Sequence, residues 1–268
     1  MDKIPAILLV GCGRMGSAML SGWREQGLAA SYAVDPAPQA AGFGGPDMTV
    51  VTDAAAIPAG FSPAAVVLAV KPQVAAETLP AYARFAGKTV FLSIMAGRTI
   101  GGIRSLIGDT AAIVRAMPNT PAAVRQGVTV ACPSPLVSAE QRALCDRLLQ
   151  AIGKVAWVDD EGLLDPVTAV SGSGPAYVFL LAELMEKAAL EQGIPPDLAR
   201  LLARQTVSGS GALLAASPDD AATLRVAVTS PGGTTAEALR VLMAEAAWPA
   251  AMSEAIAAAT RRSRELAG

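Results

Sequence analysis

The chain reads as an α/β protein: residues 1–158 build a doubly wound, mainly parallel sheet, and residues 159–268 form an all-helical domain. Three observations predict this. Short apolar runs alternate with helical patterns through the first part, the signature of βαβ units with right-handed crossovers. The first such run meets GCGRMG, a glycine pattern between a strand and a helix. Beyond Asp159-Asp160-Glu161 the strand-like runs stop and long helical patterns take over.

In order, Ala6–Val10 reads as a strand and Met15–Gln26 as a helix stopped by Gly27. Between them Gly11, Gly13 and Gly16 keep the G-x-G-x-x-G spacing of a Rossmann-type dinucleotide site. Gly11 allows the tight turn, Gly13 lets backbone approach a pyrophosphate, and Gly16 lets the helix close on the strand. Cys12, Arg14 and Met15 complete this loop, and Cys12 reads as a small packing residue. A second strand, Ser31–Val34, ends at Asp35. An acid roughly 20 residues past the motif accepts hydrogen bonds from the adenosine ribose. No Arg or Lys follows closely to meet a 2′-phosphate, so Asp35 favours NADH over NADPH.

Strands are expected at Thr49–Thr52, Ala65–Val70, Thr89–Ile94, Ala112–Ala116, Val128–Cys132 and Val155–Val158. Helices are expected at Gln73–Ala86, at Thr99–Ile107 and from Ser138 to Ile152, where Ser138 and Gln141 form a capping box. In an open α/β sheet ligands lie beyond the carboxyl ends of the strands. The loops there are AVKP (Ala69, Val70, Lys71, Pro72), SIMAG (with Ala96 and Gly97) and RAMPNTP, Arg115 to Pro121. Singly each is an ordinary proline-punctuated turn; together they outline a cofactor cleft.

The helical part is expected to hold Pro175–Gln192, Asp197 to about Ala216, a helix starting at Ser217-Pro218-Asp219-Asp220, and two more after Gly233 and Pro249. Ser217 reads as N-cap with proline at the first helical position. Several of these helices are apolar on more than one face, which predicts burial against another subunit. TAVSGSGPAY, Thr168 to Tyr177, is too short and apolar for a flexible linker. VTSPGGTTAEAL, Val228 to Leu239, places two glycines and the hydroxyls of Thr229, Ser230, Thr234 and Thr235 at a helix start. Free amides there suit an anion such as a carboxylate; the plainer alternative is a helix capped by one of the threonines.

Composition narrows the chemistry. The chain has 268 residues, 52% hydrophobic and 16% charged, with formal net charge −2, so nothing electrostatic argues for nucleic acid or an anionic membrane as partner. The uninterrupted apolar runs are strand-length, short of a membrane span, and no leader pattern opens the chain; a cytoplasmic location is expected. Cys12, Cys132 and Cys145 lack CxxC pairing, so neither disulfides nor a thiolate metal site is expected. Histidine is absent altogether, which removes Ser-His-Asp and Cys-His catalysis, most zinc sites and histidine-dependent dehydrogenases.

GCGRMGSAM, AVKP, SIMAG, RAMPNTPAAVRQG, TAVSGSGPAY and VTSPGGTTAEAL, in this order, resemble the pyrroline-5-carboxylate reductase family through nearly the whole chain. The resemblance implies an N-terminal domain that binds NADPH or NADH and a helical C-terminal domain that forms a homodimer, with assembly up to a decamer. It implies reduction of the C=N bond of Δ1-pyrroline-5-carboxylate to L-proline, the last step of proline biosynthesis. By motif, Ser230, Gly233, Thr234 and Thr235 would hold the substrate, with the Thr235 hydroxyl near the imine nitrogen as the catalytic group. The residues from Gly11 to Gly16 and from Ala69 to Pro72, with Ala96 and Gly97, would contact the cofactor. Two departures stand out: Met95 where many relatives carry Ala, which would narrow the nicotinamide pocket, and Asp35-Pro36 where NADPH-preferring relatives carry Asn-Arg or a Ser/Thr pair.

Three other readings remain open. β-Hydroxyacid and 6-phosphogluconate type dehydrogenases share the glycine loop, but they use a lysine on the first interdomain helix, where this chain has only Lys187, far along it. A reductase of other cyclic imines and a non-catalytic dinucleotide sensor are the others.

Overall fold

The computed structural model describes residues 3–267 and divides into two compact units, residues 1–172 with 259–268, and residues 173–258. The first unit holds one eight-stranded sheet in the order β3-β2-β1-β4-β5-β6-β7-β8. The strands are β1 (Ile7–Val10), β2 (Ser31–Val34), β3 (Met48–Val51), β4 (Ala65–Leu68), β5 (Val90–Ser93), β6 (Ala112–Met117), β7 (Gly127–Pro133) and β8 (Gly153–Trp157). Its helices are α1 (Arg14–Glu25), α2 (Ala75–Thr78), α3 (Ile100–Ile107), α4 (Ala139–Gln150) and α5 (Leu164–Val167). All neighbouring strands run parallel except β6 and β7. Pro118 to Gln126 is too short for the crossover of about a dozen residues that a parallel return needs, so β7 turns back beside β6. Strand order reverses between β1 and β4, and the crevice at that point is where such sheets take ligands.

Alternation along the strands sorts the core into two layers. Leu9, Val67, Leu92 and Val114 face α1 and α4, where Trp23 is fully buried and its indole N–H donates to the Leu148 carbonyl at 2.9 Å. Leu8, Val66, Phe91 and Ile113 face the other side, against Leu79, Tyr82 and Ile103. Continuous apolar runs are what a sheet covered on both faces requires.

One expected element of this unit differs. Gln73–Ala86 is not one helix but a 3-10 turn (Pro72–Val74), α2, and a second 3-10 stretch (Leu79–Phe85). Pro80 has no amide to donate and crowds the preceding turn, which breaks the α-helical ladder. The loop capping box holds: Ser138 accepts from the Gln141 amide, and the Gln141 side chain accepts from Ser138.

The second unit is helical: α6 (Gly174–Glu191), α7 (Pro196–Ala216), α8 (Ala221–Ala227), α9 (Thr234–Leu242) and the first part of α10 (Trp248–Ala267). Ser217 does not start α8; it ends α7, and the start falls to Asp220, whose carboxylate accepts from the Thr223 amide at 2.7 Å. The longer reach of the Asp220 carboxylate, three residues before Thr223, fits the N-cap geometry that Ser217 was expected to supply.

The compact units part at Gly172, later than the expected boundary at residue 158. The strands do end at Trp157, but α5 and the following π-turn, Thr168–Gly172, pack with the sheet unit, so the change of texture precedes the change of unit. Leu164 is fully buried in the sheet unit's second layer, and Asp165 accepts from the Ser263 hydroxyl at 2.7 Å, tying the end of α10 to it. The stretch Glu161–Glu191 is, by length and composition, apolar enough to cross a membrane.

Candidate active site

The sheet's switch point opens into a cleft of about 740 Å³, lined by Gly11, Cys12, Gly13, Asp35, Ala69, Val70 and Lys71 among others. That size suits a cofactor-sized ligand. The glycine pattern explains its shape. Gly11 sits at φ +97°, and a Cβ there would stand 2.7 Å from the Ala69 carbonyl oxygen, so the turn lies directly against the AVKP loop. A side chain on Gly16 would collide with the Gly11 carbonyl, whereas one on Gly13 would meet nothing within 4 Å. Gly13 is thus the glycine whose space is left open on the cleft side.

α1 begins on Gly13 as N-cap, with no side chain accepting from its first amides and no acid in its first turn. A helix start left without cap or counter-charge carries free N–H donors and the positive end of the dipole. These are the properties that receive a pyrophosphate, so the residues present fit a dinucleotide. Arg14, exposed, and Met15, packed on the core, continue α1; Gly16 is buried.

Asp35 stands at the end of β2 in the cleft. One carboxylate oxygen accepts from the Cys12 amide at 2.6 Å and the other from the Ala37 amide at 2.9 Å. The carboxylate is therefore aimed and held by the backbone of the glycine loop. Asp53 and Glu77 line the same cleft, against the single cation Lys71 among its lining residues. Periodicity singled out neither acid: Asp53 caps a short 3-10 turn and Glu77 sits in the single turn of α2, elements too brief to leave a periodic trace. Cys12 is buried, and burial together with the Asp35 charge pushes its thiol up to about 11. Tyr82, under the cleft, is pushed up to about 12 by burial and by Asp53.

The strand-end loops are tied to one another by side chains. Arg98, following Gly97, donates from Nε and Nη2 to the Pro72 carbonyl at 3.0 and 2.7 Å. Glu161 accepts from the Ile100 amide at 2.8 Å and from Arg115 at 2.9 Å, and Arg115 is nearly fully buried. Asn119 accepts from the Val128 amide at 2.9 Å and donates to the Ser171 carbonyl at 3.1 Å. TAVSGSGPAY is accordingly no linker: it runs through the π-turn, where Thr168 and Ser171 bond back to Leu164 and Val167, into α6. Ala96 is exposed, and Gly97, at φ +69°, lies against the Leu266 backbone. Met95 is 2% exposed and packs in the second core layer.

In the helical unit, Pro231 and Gly232 (φ +68°) form a tight turn closed by the Gly233 amide donating to the Ser230 carbonyl at 3.0 Å. Proline followed by a positive-φ glycine is the pattern of a type II turn. Gly233 is the N-cap of α9 and no side chain caps that helix. A threonine cap, the plainer alternative, is therefore not what the chain uses. Thr229 spends its hydroxyl on the Arg225 carbonyl at 2.6 Å. Among the described residues, the hydroxyls of Ser230, Thr234 and Thr235 donate to no other group, beside uncapped amides. Ser230 and Thr234 are exposed and Thr235 half-buried.

Comparison with known proteins fits both units. Residues 161–266 match the family described as pyrroline-5-carboxylate reductase dimerisation, and residues 6–97 match that described as NADP oxidoreductase coenzyme F420-dependent. The pyrroline-5-carboxylate reductase of Pseudomonas aeruginosa is 38% identical over 267 residues, 98% of this chain and 97% of the relative. A pyrroline-5-carboxylate reductase structure from Coxiella burnetii superposes with a TM-score of 0.90 at 30% identity, covering 99% of both chains. The Plasmodium falciparum pyrroline carboxylate reductase, solved with NADP bound, gives a TM-score of 0.84 at 25% identity over the whole of both chains. On its sequence and its fold together, the chain belongs to the pyrroline-5-carboxylate reductase family.

Proposed function

We infer that the chain reduces the C=N bond of Δ1-pyrroline-5-carboxylate to L-proline with a reduced nicotinamide dinucleotide, the last step of proline biosynthesis. The observation that supports the substrate site is the uncapped start of α9, where free amides adjoin three uncommitted hydroxyls. The amides from Thr234 onward, with Ser230 and the hydroxyl of Thr234, hold the carboxylate, and Gly233 gives them room as the side-chain-free N-cap. Thr235 hydrogen-bonds the ring nitrogen and stabilises it as it becomes an amine. A cyclic imine is basic enough to take its proton from water, which agrees with a chain that has no histidine.

The residues that fit the dinucleotide are Gly11, Cys12, Gly13, Arg14, Met15 and Gly16 for the pyrophosphate turn, Asp35 for the ribose, and Ala69, Val70, Lys71, Pro72, Ala96 and Gly97 at the strand ends. When bound, the cofactor supplies the hydride for the imine carbon. The chain's own contribution is to orient the imine, and orientation alone lowers such a barrier by ~7–11 kcal/mol. NADH is the preferred cofactor: Asp35, Asp53 and Glu77 line the cleft with one lysine, so a 2′-phosphate would meet carboxylates. The exposed apolar residues of α6 and α7 cover one another in a homodimer, the building block of a decamer, in the cytoplasm, with no membrane or nucleic acid involved.

Initial rates of NADH and NADPH oxidation with Δ1-pyrroline-5-carboxylate test this reading. Fast oxidation is expected, with NADH ahead. Thr235→Ala should lower turnover by roughly tenfold or more at unchanged melting temperature. Near-normal turnover would remove Thr235 from the chemistry, and no oxidation with either cofactor would remove the activity.

A further inference from the structure

We propose that Arg98 is a positioning residue for the dinucleotide: by gripping the Pro72 carbonyl it sets the Ala69–Pro72 loop against the pyrophosphate turn. This rests on the reading of those two loops as cofactor contacts. Arg98 forms no ion pair among the described residues. Its guanidinium instead converges from two nitrogens on one backbone oxygen, 26 positions away in the chain. Two donors in a rigid plane fix that oxygen in direction as well as distance, which an ammonium does not do.

Apart from Arg98 the loop is held by backbone bonds, among them the Ala69 amide to the Val10 carbonyl at 2.8 Å. Lys71 begins the 3-10 turn Pro72–Val74 with no side-chain cap, and Pro72 itself has no amide to donate. The turn closes through the Val74 amide to the Lys71 carbonyl at 3.2 Å and the Ala75 amide to the Pro72 carbonyl, so Arg98 adds side-chain donors to an oxygen the turn itself uses. The Ala69–Val70 peptide meanwhile touches the glycine turn closely: a Cβ on Gly11 would stand 2.7 Å from the Ala69 oxygen and 3.0 Å from the Val70 nitrogen. Contact that tight leaves no slack, so a shift at Pro72 passes through Ala69 to Gly11. Gly97, at φ +69°, makes the turn that brings Arg98 beside Pro72.

The test uses the full chain, with Arg98→Met and Arg98→Lys. Dissociation constants for NADH and NADPH are measured without imine, alongside KM for the imine, melting temperature and hydrogen exchange of the 69–74 amides. Arg98→Met is expected to weaken both dinucleotides roughly tenfold and to speed exchange at 69–74, with imine KM and melting temperature unchanged. Arg98→Lys recovers part of the affinity. Unchanged dinucleotide affinity in Arg98→Met overturns the proposal, as does a loss shared equally by imine KM and melting temperature. Wild-type protein that binds neither dinucleotide overturns the cofactor reading, and the proposal with it. Wild-type binding matched by both variants overturns the proposal alone.

Discussion

The two units spend their apolar residues differently. The sheet unit buries them in two layers, with Trp23, Tyr82 and Phe91 almost wholly out of water. In the helical unit only Ala199 and Ala203 are buried among the described residues, while Phe179, Leu201, Leu213, Val226 and others stand half or more exposed. An α-helix that leaves leucine in water has not found its partner within the chain. The difference teaches that the sheet unit carries its own core, whereas the core of the helical unit is completed by a second copy. That division matches a family whose helical part is described by its dimerisation.

The largest effect should come from charging the incomplete core. Phe179 and Leu201 are 66% and 60% exposed in the single chain. Phe179→Asp or Leu201→Asp would bury an unpaired carboxylate in the subunit interface, at a cost of several kcal/mol. Light scattering should show the oligomer falling to monomer, with activity lost. Val124→Asp, at a residue 69% exposed in the sheet unit, should leave the assembly intact. If the three variants behave alike, exposure alone does not mark the interface and the comparison fails.

How far the sequence reveals this division follows from which forces leave a periodic trace. Ser31–Val34 and the Ser138 capping box are legible because burial and capping act on neighbouring residues. The Gln73–Ala86 segment misleads because its apolar spacing is helical while Pro80 overrules it locally. Ser217 reads as the N-cap of α8, but the chain caps that helix with Asp220, three residues on. At the site, the glycines and Asp35 are legible because a tight turn and a strand end demand those residue types. Arg98, Asn119 and Glu161 are not: each bonds to backbone far away in sequence, so nothing near them announces the pairing. Met95 illustrates the converse, since its place in a cofactor loop says nothing of which way its side chain packs.

Within the sheet unit, Gly16 and Gly13 separate packing from binding. Gly16→Ala drives a methyl into the Gly11 carbonyl and should cost about 1–3 kcal/mol of stability together with dinucleotide binding. Gly13→Ala meets nothing within 4 Å, so melting should be unchanged while dinucleotide affinity falls roughly tenfold. Calorimetric melting and binding titration on both variants decide it; a destabilised Gly13→Ala would mean that the open space is not there for a ligand. Asp35→Ser is expected to act more gently still. Removing the carboxylate relieves repulsion of a 2′-phosphate and leaves the Cys12 amide free to donate to it, so the NADPH-to-NADH ratio of kcat/KM should rise by about 5- to 10-fold. A ratio that stays put would shift the discrimination to Asp53 and Glu77.

The smallest effect is a pH dependence, and it too divides the units. Cys12, Tyr82 and Cys145 all lie in the sheet unit. Burial raises the Cys145 thiol to about 12, with the Asp146 charge adding to it, from a value of 9.0 in the unfolded chain. Below pH 9 the thiol is neutral in both states and the stability is fully present. Between pH 9 and 12 the unfolded chain loses its proton and the folded one does not, so stability falls as pH rises, by up to about 1.4 kcal/mol per pH unit for this group. Tyr82, raised from 10.0 to about 12, adds a fall of the same sign that begins near pH 10. Melting temperature should therefore stay level from pH 7 to 8.5 and decline above 9. Cys145→Ala should make the decline above pH 9 shallower, with Cys12, raised from 9.0 to about 11, keeping part of it, even as the variant lowers stability at pH 7. A decline as steep in Cys145→Ala as in the wild type would remove Cys145 from the alkaline weakness and leave it to Cys12 and Tyr82.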